Sequence, residues 1–279
     1  MITAKKKFSP GRLAVTLVVG VFCITMLAPL LWMLSTSFKQ EVDVFKFPIE
    51  WIPRTWNFEN YVNVWTGKYN FPLYYFNTIK ITVAVTVIQL LISAMGAYAF
   101  AKLKFKWNNA LFTLFLATMM IPDQVTIVPK FMMMKWLGLM DTHTGLILIL
   151  AFSVYGVFLL RQSMMSIPDS ILEAAKIDGA GHPRIFAQIV LPMSVPALAT
   201  LGILRFVWTW NDYQNPLIFL NTKSLYTLQQ GMSQFATETG TMYALLMAAS
   251  VCAIVPLFIV FLIGQKYIIG GVVSGAVKG

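Results

Sequence analysis

The stretch Ser166-Ile167-Pro168-Asp169-Ser170-Ile171-Leu172-Glu173-Ala174-Ala175-Lys176-Ile177-Asp178-Gly179-Ala180-Gly181 interrupts a chain otherwise built from long apolar runs. It reads as one short helix. Pro168 is tolerated in a first turn, and Asp169 and Glu173 favour the positive end of the helix dipole. The helix continues through Glu173–Asp178, and Gly179 and Gly181 end it. Ile171, Leu172 and Ala175 fall on one side at helical spacing. Small Ala174 and Ala175 let the helix approach another surface closely. Physics alone leaves two readings, a peg for a cleft in a partner or an amphipathic helix lying on lipid.

The flanking sequence supplies the frame. A bilayer core about 30 Å thick needs roughly 20 apolar helical residues. Six runs meet or approach that length: Leu13–Leu34, Ile81–Ala101, Ala110–Val128, Thr144–Leu160, Val195–Leu220 and Met242–Gln265. The first is too long for a signal-peptide core and is read as a retained helix. Pro122 and Pro129 interrupt the third near one end. Hydrophobic residues make up 58% of the chain and charged residues 11%, with a mean hydropathy of +0.71. A soluble domain is nearer about 45–50% apolar and about 25% charged. A soluble enzyme, a disordered chain and a secreted disulfide scaffold are thereby excluded. The expected fold is all-α, a six-transmembrane-helix bundle.

Basic residues orient it. They collect before the first run (Lys5, Lys6, Lys7, Arg12), after the second (Lys102, Lys104, Lys106), after the fourth (Arg161, Lys176, Arg184) and after the last (Lys266, Lys278). These gaps face the cytoplasm under the positive-inside rule. Both termini and the loop 161–194 are then cytoplasmic. The longest outer loop, Ser35–Tyr75, carries Trp51, Trp56, Tyr61 and Trp65, which suit an interfacial or partner-contacting segment. The loop Asp212–Thr241 reads as polar and flexible. The division is 1–71 (tail, first helix and outer loop), 72–270 (core) and 271–279 (tail).

Several chemistries lack their residues. Cys23 and Cys252 sit in apolar runs, which argues against a structural disulfide. The two histidines, His143 and His182, lie far apart; there is no HExxH and no CxxC, so no metal site is expected. His182, beside Pro183, reads as an exposed loop histidine. Met132-Met133-Met134 reads as adaptable packing. Gly270–Gly275 has the spacing of a phosphate-binding loop, but Ala276 stands where lysine is needed. The net charge of +10 is spread through loops, not over a nucleic-acid face. A stand-alone secondary transporter would need paired acids or repeated broken helices, and the runs carry almost no acids.

Glu173-Ala174-Ala175, three residues, Gly179, nine residues, then Ile189-Val190-Leu191-Pro192 resembles the EAA motif, EAA-x3-G-x9-I-x-L-P, of ABC-importer permeases. All seven fixed positions match. Trp210-Asn211-Asp212 with Pro216-Leu217, and the tail Gly275–Gly279, are similar to the carbohydrate-uptake branch, on the pattern of the second permease of maltose-type systems. The resemblance implies a type I ABC-importer permease fold in a bacterial or archaeal cell membrane. It implies a second permease subunit, two ATPase subunits that bind the ATP and Mg, and an extracytoplasmic binding protein. It implies that Glu173 pairs with a basic ATPase residue, that Ala174 and Ala175 pack closely there, and that Gly179 permits the turn. Asp178 either touches the same partner or merely ends the helix. The chain itself would hold no cofactor and hydrolyse nothing. By the same likeness, the loop Asp212–Thr241 probes the binding protein's cleft. The cargo is expected to be a mono- or oligosaccharide, with a polyol phosphate as the alternative.

Arg205 is the other singular residue. It lies about nine residues into the fifth run, which at about 1.5 Å per residue is near mid-membrane. An intramembrane arginine faces a bundle interior or a wet cavity and has a partner. Trp208, Trp210, Asn211 and Asp212 follow it, and aromatic faces with amide and carboxylate tips suit sugars. The cluster lines a substrate path or gate, or else contacts the sister subunit.

Overall fold

The computed structural model describes residues 10–67, 69–237 and 240–276. The expected basic tail Lys5–Lys7, Lys68, Glu238 and Thr239 in the loop, and the last tail residues with Lys278 lie outside the described residues. Among the described residues the regular structure is helical except for one hairpin of two two-residue strands, and loops join the helices. Three helices are long and apolar enough to cross a membrane unaided: α1 (Pro10–Thr36), α3 (Phe71–Lys102) and α14 (Tyr243–Ala276), which lie on the first, second and sixth runs. The other three runs fall on helix pairs that are bent, and six crossings result if each pair counts as one.

The bends have local causes. Between α4 (Asn108–Ala117, continued as a 3-10 turn to Met120) and α5 (Asp123–Trp136) the axis turns by 99°. Proline disfavours the helical region for the residue before it, and Ile121 is extended (φ −83°, ψ 115°). Pro129 lies inside α5 and does not end it, contrary to the expected double interruption. α6 (His143–Leu150) and α7 (Val154–Met165) meet at 46°. Each starts on a hydroxyl cap: Thr142 Oγ1 accepts from Gly145 N and Ser153 Oγ from Gly156 N, both at 3.0 Å. The third bend, 76°, joins His182–Met193, which ends in the short helix α10 (Leu191–Met193), to α11 (Val195–Trp210) at Ser194. Pro192 and Pro196 lack the N–H groups that a continuous helix would use there. α11 stops at Trp210, so Val195–Leu220 is not one span; a separate short helix, α12 (Gln214–Phe219), follows the break.

The chain divides into two compact units. One comprises residues 1–71 and 234–254. The loop after α1 is folded: α2 (Glu59–Thr66) is tied back by Asn60, whose Nδ2 donates to the carbonyls of Ser37 (2.9 Å) and Lys39 (2.8 Å). Glu41 caps α14, its two carboxylate oxygens accepting from Tyr243 N (2.7 Å) and Ala244 N (2.9 Å). Trp51 and Trp56 stay largely exposed. The hairpin pairs β1 (Ala236–Thr237) with β2 (Gly240–Thr241).

The second unit, residues 72–233 and 255–279, holds the helices that position the candidate sites. Val157, Leu160 and Met164 recur at helical spacing on α7 and pack with Ala94, Ala97 and Tyr98 of α3 and Leu201 of α11. A second cluster joins Ile81 and Val85 of α3 to Met134, Leu146 and Phe219. Met134 thus packs as expected of the methionine run, while Met132 and Met133 are exposed. Beyond α12 the segment expected to be a flexible loop contains a packed helix: α13 (Leu228–Met232) buries Leu228, Gln230 and Gly231. Gly231 backs directly onto the Tyr74 ring, leaving no space for a Cβ.

Candidate functional site

α8 (Asp169–Ile177) occupies the stretch with which the sequence reading began. Its helical residues and its stop are chemically specified. Leu172 is 6% exposed and Ala175 packs with it against the cluster containing Tyr98, Ile167 and Ile185. Ile171 lies outside that core, against expectation. Gly179 adopts φ +81°, the left-handed region that only glycine enters freely. With that turn, Gly179 N donates to Lys176 O (3.0 Å) and Ala180 N to Ala175 O (2.9 Å), the paired bonds of a Schellman stop. Gly181 is not part of it; it opens the next helix, α9 (His182–Ile185), at φ −74°.

The outward face of α8 carries Glu173, Ala174 and Ile177. Ile177 is 87% exposed. Burying an isoleucine side chain is worth about 1.5–3 kcal/mol. Here the apolar tip is left bare beside a small alanine one turn earlier and an acid on the same face. Asp178 and Gly179 are exposed at the end of this face. At the other end Lys102, the last residue of α3, donates from Nζ to Ile167 O (2.6 Å) and Asp169 Oδ1 (2.7 Å). The bond from Lys102 holds the Asp169 carboxyl below the usual carboxylate range. His182 is exposed yet not idle, since its Nδ1 lies 3.0 Å from the Tyr98 hydroxyl. It begins α9 and is not a loop residue.

Arg205 is the eleventh residue of the sixteen in α11, just past the middle of that helix. Its Nη2 donates to the carbonyl of Leu150, the last residue of α6. Two adjoining clefts meet at it. One, of about 200 Å³, is lined by Asp123, Gln124, Lys130, Gln214 and Asn215 besides Arg205. The other, of about 290 Å³, adds Trp208, Thr209 and Asp212. Both acids already have partners. Asp123 Oδ1 lies 3.1 Å from Lys130 Nζ, and Asp212 accepts from Asn215 N (3.1 Å) and Nδ2 (2.8 Å).

The structure therefore brings Arg205, Trp208 and Asp212 together. It places Trp210 elsewhere: this ring is buried, stacked on Phe206 (5.7 Å, 9°) and edge-on to Tyr75 (5.6 Å). Asn211 turns its Nδ2 back to Val207 O (2.9 Å) and lines neither cleft. Sequence reasoning missed Asp123, Gln124, Lys130, Gln214 and Asn215. The available signal was Asp123 itself, the sole acid of an apolar run, directly after a proline.

Comparison with known proteins gives the family. A family model described as the binding-protein-dependent transport system inner membrane component matches residues 89–272, which include α8 and Arg205. The arabinooligosaccharides transport system permease protein AraQ of Bacillus subtilis is 34% identical over 281 residues, covering 100% of each chain. The sn-glycerol-3-phosphate transport system permease protein UgpE of Yersinia enterocolitica is 34% identical over 267 residues, covering 93% of this chain and 94% of its own. A crystal structure of a bacterial ABC transporter involved in the import of the acidic polysaccharide alginate has a chain that superimposes with a TM-score of 0.86 at 27% identity, covering 94% of this chain and 99% of that one. The fold is that of an ABC-importer permease, and the chain belongs to the family of binding-protein-dependent transport system inner membrane components.

Proposed function

We propose that this chain is one permease subunit of a sugar importer, in which α8 is gripped by a separate ATPase and the clefts at Arg205 face the substrate path. The observation that carries the first half is the bare tip of α8: Ile177, Ala174 and Glu173 together, on a helix whose other side is locked into the core. An exposed isoleucine beside an acid suits a partner cleft with an apolar floor and a basic wall. A glutamate desolvated there needs that basic partner, or burial is costly. The two ATPase subunits bind ATP and Mg, close, and draw α8 with them. A second permease, most simply a different chain, completes the path, and an external binding protein delivers the cargo. In this arrangement the N- and C-termini and α8 lie in the cytoplasm, the side that the distribution of basic residues favours.

For the cargo, the lining at Arg205 favours a neutral sugar over a polyol phosphate. The lining holds two cations (Lys130, Arg205), two acids (Asp123, Asp212), the amides of Gln124, Gln214 and Asn215, and Trp208. Hydroxyls both donate and accept, so alternating charge and amide tips serve them. A phosphate would meet two carboxylates. AraQ, named for arabinooligosaccharides, supports the same choice; UgpE is the reason to test it.

Co-purification tests the assembly. Wild-type permease should retain its ATPase in detergent, and Glu173→Lys should hydrolyse ATP without import or lose the ATPase. Normal import by Glu173→Lys with normal association rejects the proposed contact. A ligand screen on the cognate binding protein tests the cargo: retention of glycerol phosphate but of no sugar rejects the sugar reading.

A further inference from the structure

The loop that carries α8 is fastened on both sides of α8 to the same short piece of α3. Ahead of α8, the Lys102 side chain is 4% exposed and spans from α3 to Ile167 O and Asp169 Oδ1. Behind α8, the Tyr98 hydroxyl meets His182 and the Tyr98 ring packs on Phe186 (5.2 Å). Between these ties, Leu172 and Ala175 share a core with Ala94, Ala97 and Tyr98. Nearby, Arg161 Nε donates to Phe100 O (3.3 Å). Tyr98, Phe100 and Lys102 are the last turns of α3. Apolar packing is non-directional and lets one helix slide over another. Charge-assisted hydrogen bonds from a buried ammonium fix both position and angle.

We propose that Lys102 is a positioning residue for transport, locking α8 to the end of α3 so that displacement of α8 enters the bundle through α3. The proposal rests on the reading of α8 as the ATPase contact. Without the lock, a pull on α8 is taken up as slack: ATP is still hydrolysed, and the bundle does not follow.

The test uses the complete importer, with both permeases, the ATPase and the binding protein, reconstituted in lipid. Spin labels at Ser170 and Met95, both exposed and on α8 and α3 respectively, report the α8–α3 distance with and without ATP and vanadate. In the otherwise wild-type complex the distance should stay fixed. In Lys102→Met it should broaden or change on nucleotide trapping. Import per ATP, measured with the radiolabelled sugar retained by the binding protein, should fall about tenfold, the scale of one lost charged hydrogen bond. Lys102→Arg should keep most of both. Tyr98→Phe should show a smaller loss of the same kind. An unchanged distance and an unchanged import ratio in Lys102→Met overturn the proposal. So does equal damage by Lys102→Arg. If Lys102→Met does not assemble, Asp169→Asn removes the charge from the same tie without leaving a vacancy, and an unchanged distance and ratio there overturn it equally. Glu173→Lys separates the two readings. If it uncouples while Lys102→Met does not, only the role of Lys102 fails; if it has no effect, the ATPase contact fails first.

Discussion

Gly179→Ala isolates what the end of α8 contributes. An added Cβ would meet nothing within 4 Å, so crowding by neighbours plays no part. What remains is the backbone at φ +81°. A left-handed conformation costs an L-residue about 1–2 kcal/mol, which is a factor of about 5–30 in the population of the closed turn. Gly181, two residues on, is the built-in control. It has φ −74° and ψ 167°, open to any residue, and the nearest atom to its Cβ would be Pro183 Cδ at 3.8 Å. There alanine loses a little as a helix cap and gains a little by stiffening the unfolded chain, for a net change within about 0.5 kcal/mol.

The assay is amide hydrogen exchange over peptides that cover residues 169–182, in the nucleotide-free importer. Ala180 N, bonded to Ala175 O, reports the closed turn directly. In Gly179→Ala it should exchange about 5–30-fold faster than in wild type, by the cost just given. In Gly181→Ala it should be close to wild type. Gly179→Asn should fall between them, because asparagine enters the left-handed region at lower cost. Equal exchange in the two alanine variants, or asparagine as damaging as alanine, would refute the assignment of the stop to Gly179 and its backbone.

Other perturbations have equally definite outcomes. Gly231→Ala should lower the melting temperature sharply, because its Cβ would enter the Tyr74 ring in a buried site; Tyr74→Leu in the same chain should restore part of the loss, and no loss at all rejects the close approach. Asp141 accepts from Asn221 N (2.7 Å), Thr222 N (3.0 Å) and the Thr222 hydroxyl (2.5 Å), chiefly the last of which holds its carboxyl below the usual range. A lowered native value stabilises above the ordinary carboxylate pKa of about 3.9 and is lost as pH falls through the native one. Amide protection at Thr222 should therefore persist near pH 4 and fail only at lower pH, and Asp141→Asn should abolish that dependence. Arg205→Leu should cut initial uptake while lowering the free energy of unfolding by no more than the loss of one buried bond, about 1–3 kcal/mol; unchanged uptake and cargo range would remove Arg205 from the path.

The parts of the molecule that depend on neighbours in sequence were readable in advance. Pro168, Asp169, Leu172, Ala175 and Gly179 specify α8 within twelve positions, and the structure places its ends where they indicate. Long apolar runs likewise announced α1, α3 and α14. The bends were only half legible. Pro122 was a visible break, but Pro129 looks the same in sequence and sits inside a helix, because one missing hydrogen bond is tolerated when the rest of α5 packs. The hydroxyl caps at Thr142 and Ser153 look like ordinary polar residues until the chain is folded. Trp210 and Trp208 are indistinguishable by spacing, and opposite faces of α11 send one into the core and one to a cleft. Lys102, counted for orientation alone, proved to be a tie between two helices that are 67 positions apart at the bonded residues. No local pattern encodes that distance.

The breaks and the polar clefts are physically one feature. A helix interrupted at membrane depth frees backbone groups, and these are tolerated only where they are buried in protein or line a cavity. The break before α5 delivers Asp123 and Gln124, that after α6 delivers Leu150 and Phe152, and that after α11 delivers Gln214 and Asn215, all to the walls around Arg205. Arg205 in turn donates to the carbonyl of Leu150, one of the last carbonyls of α6, which has no partner within its own helix. The guanidinium thus helps satisfy the break, and the break gives the guanidinium an acceptor inside an otherwise apolar helix. A straight bundle of six clean spans, the simplest reading of the hydropathy, would have stranded that charge. The bent spans are what give Arg205 an acceptor at its position, and they leave beside it clefts whose acids and bases balance in number.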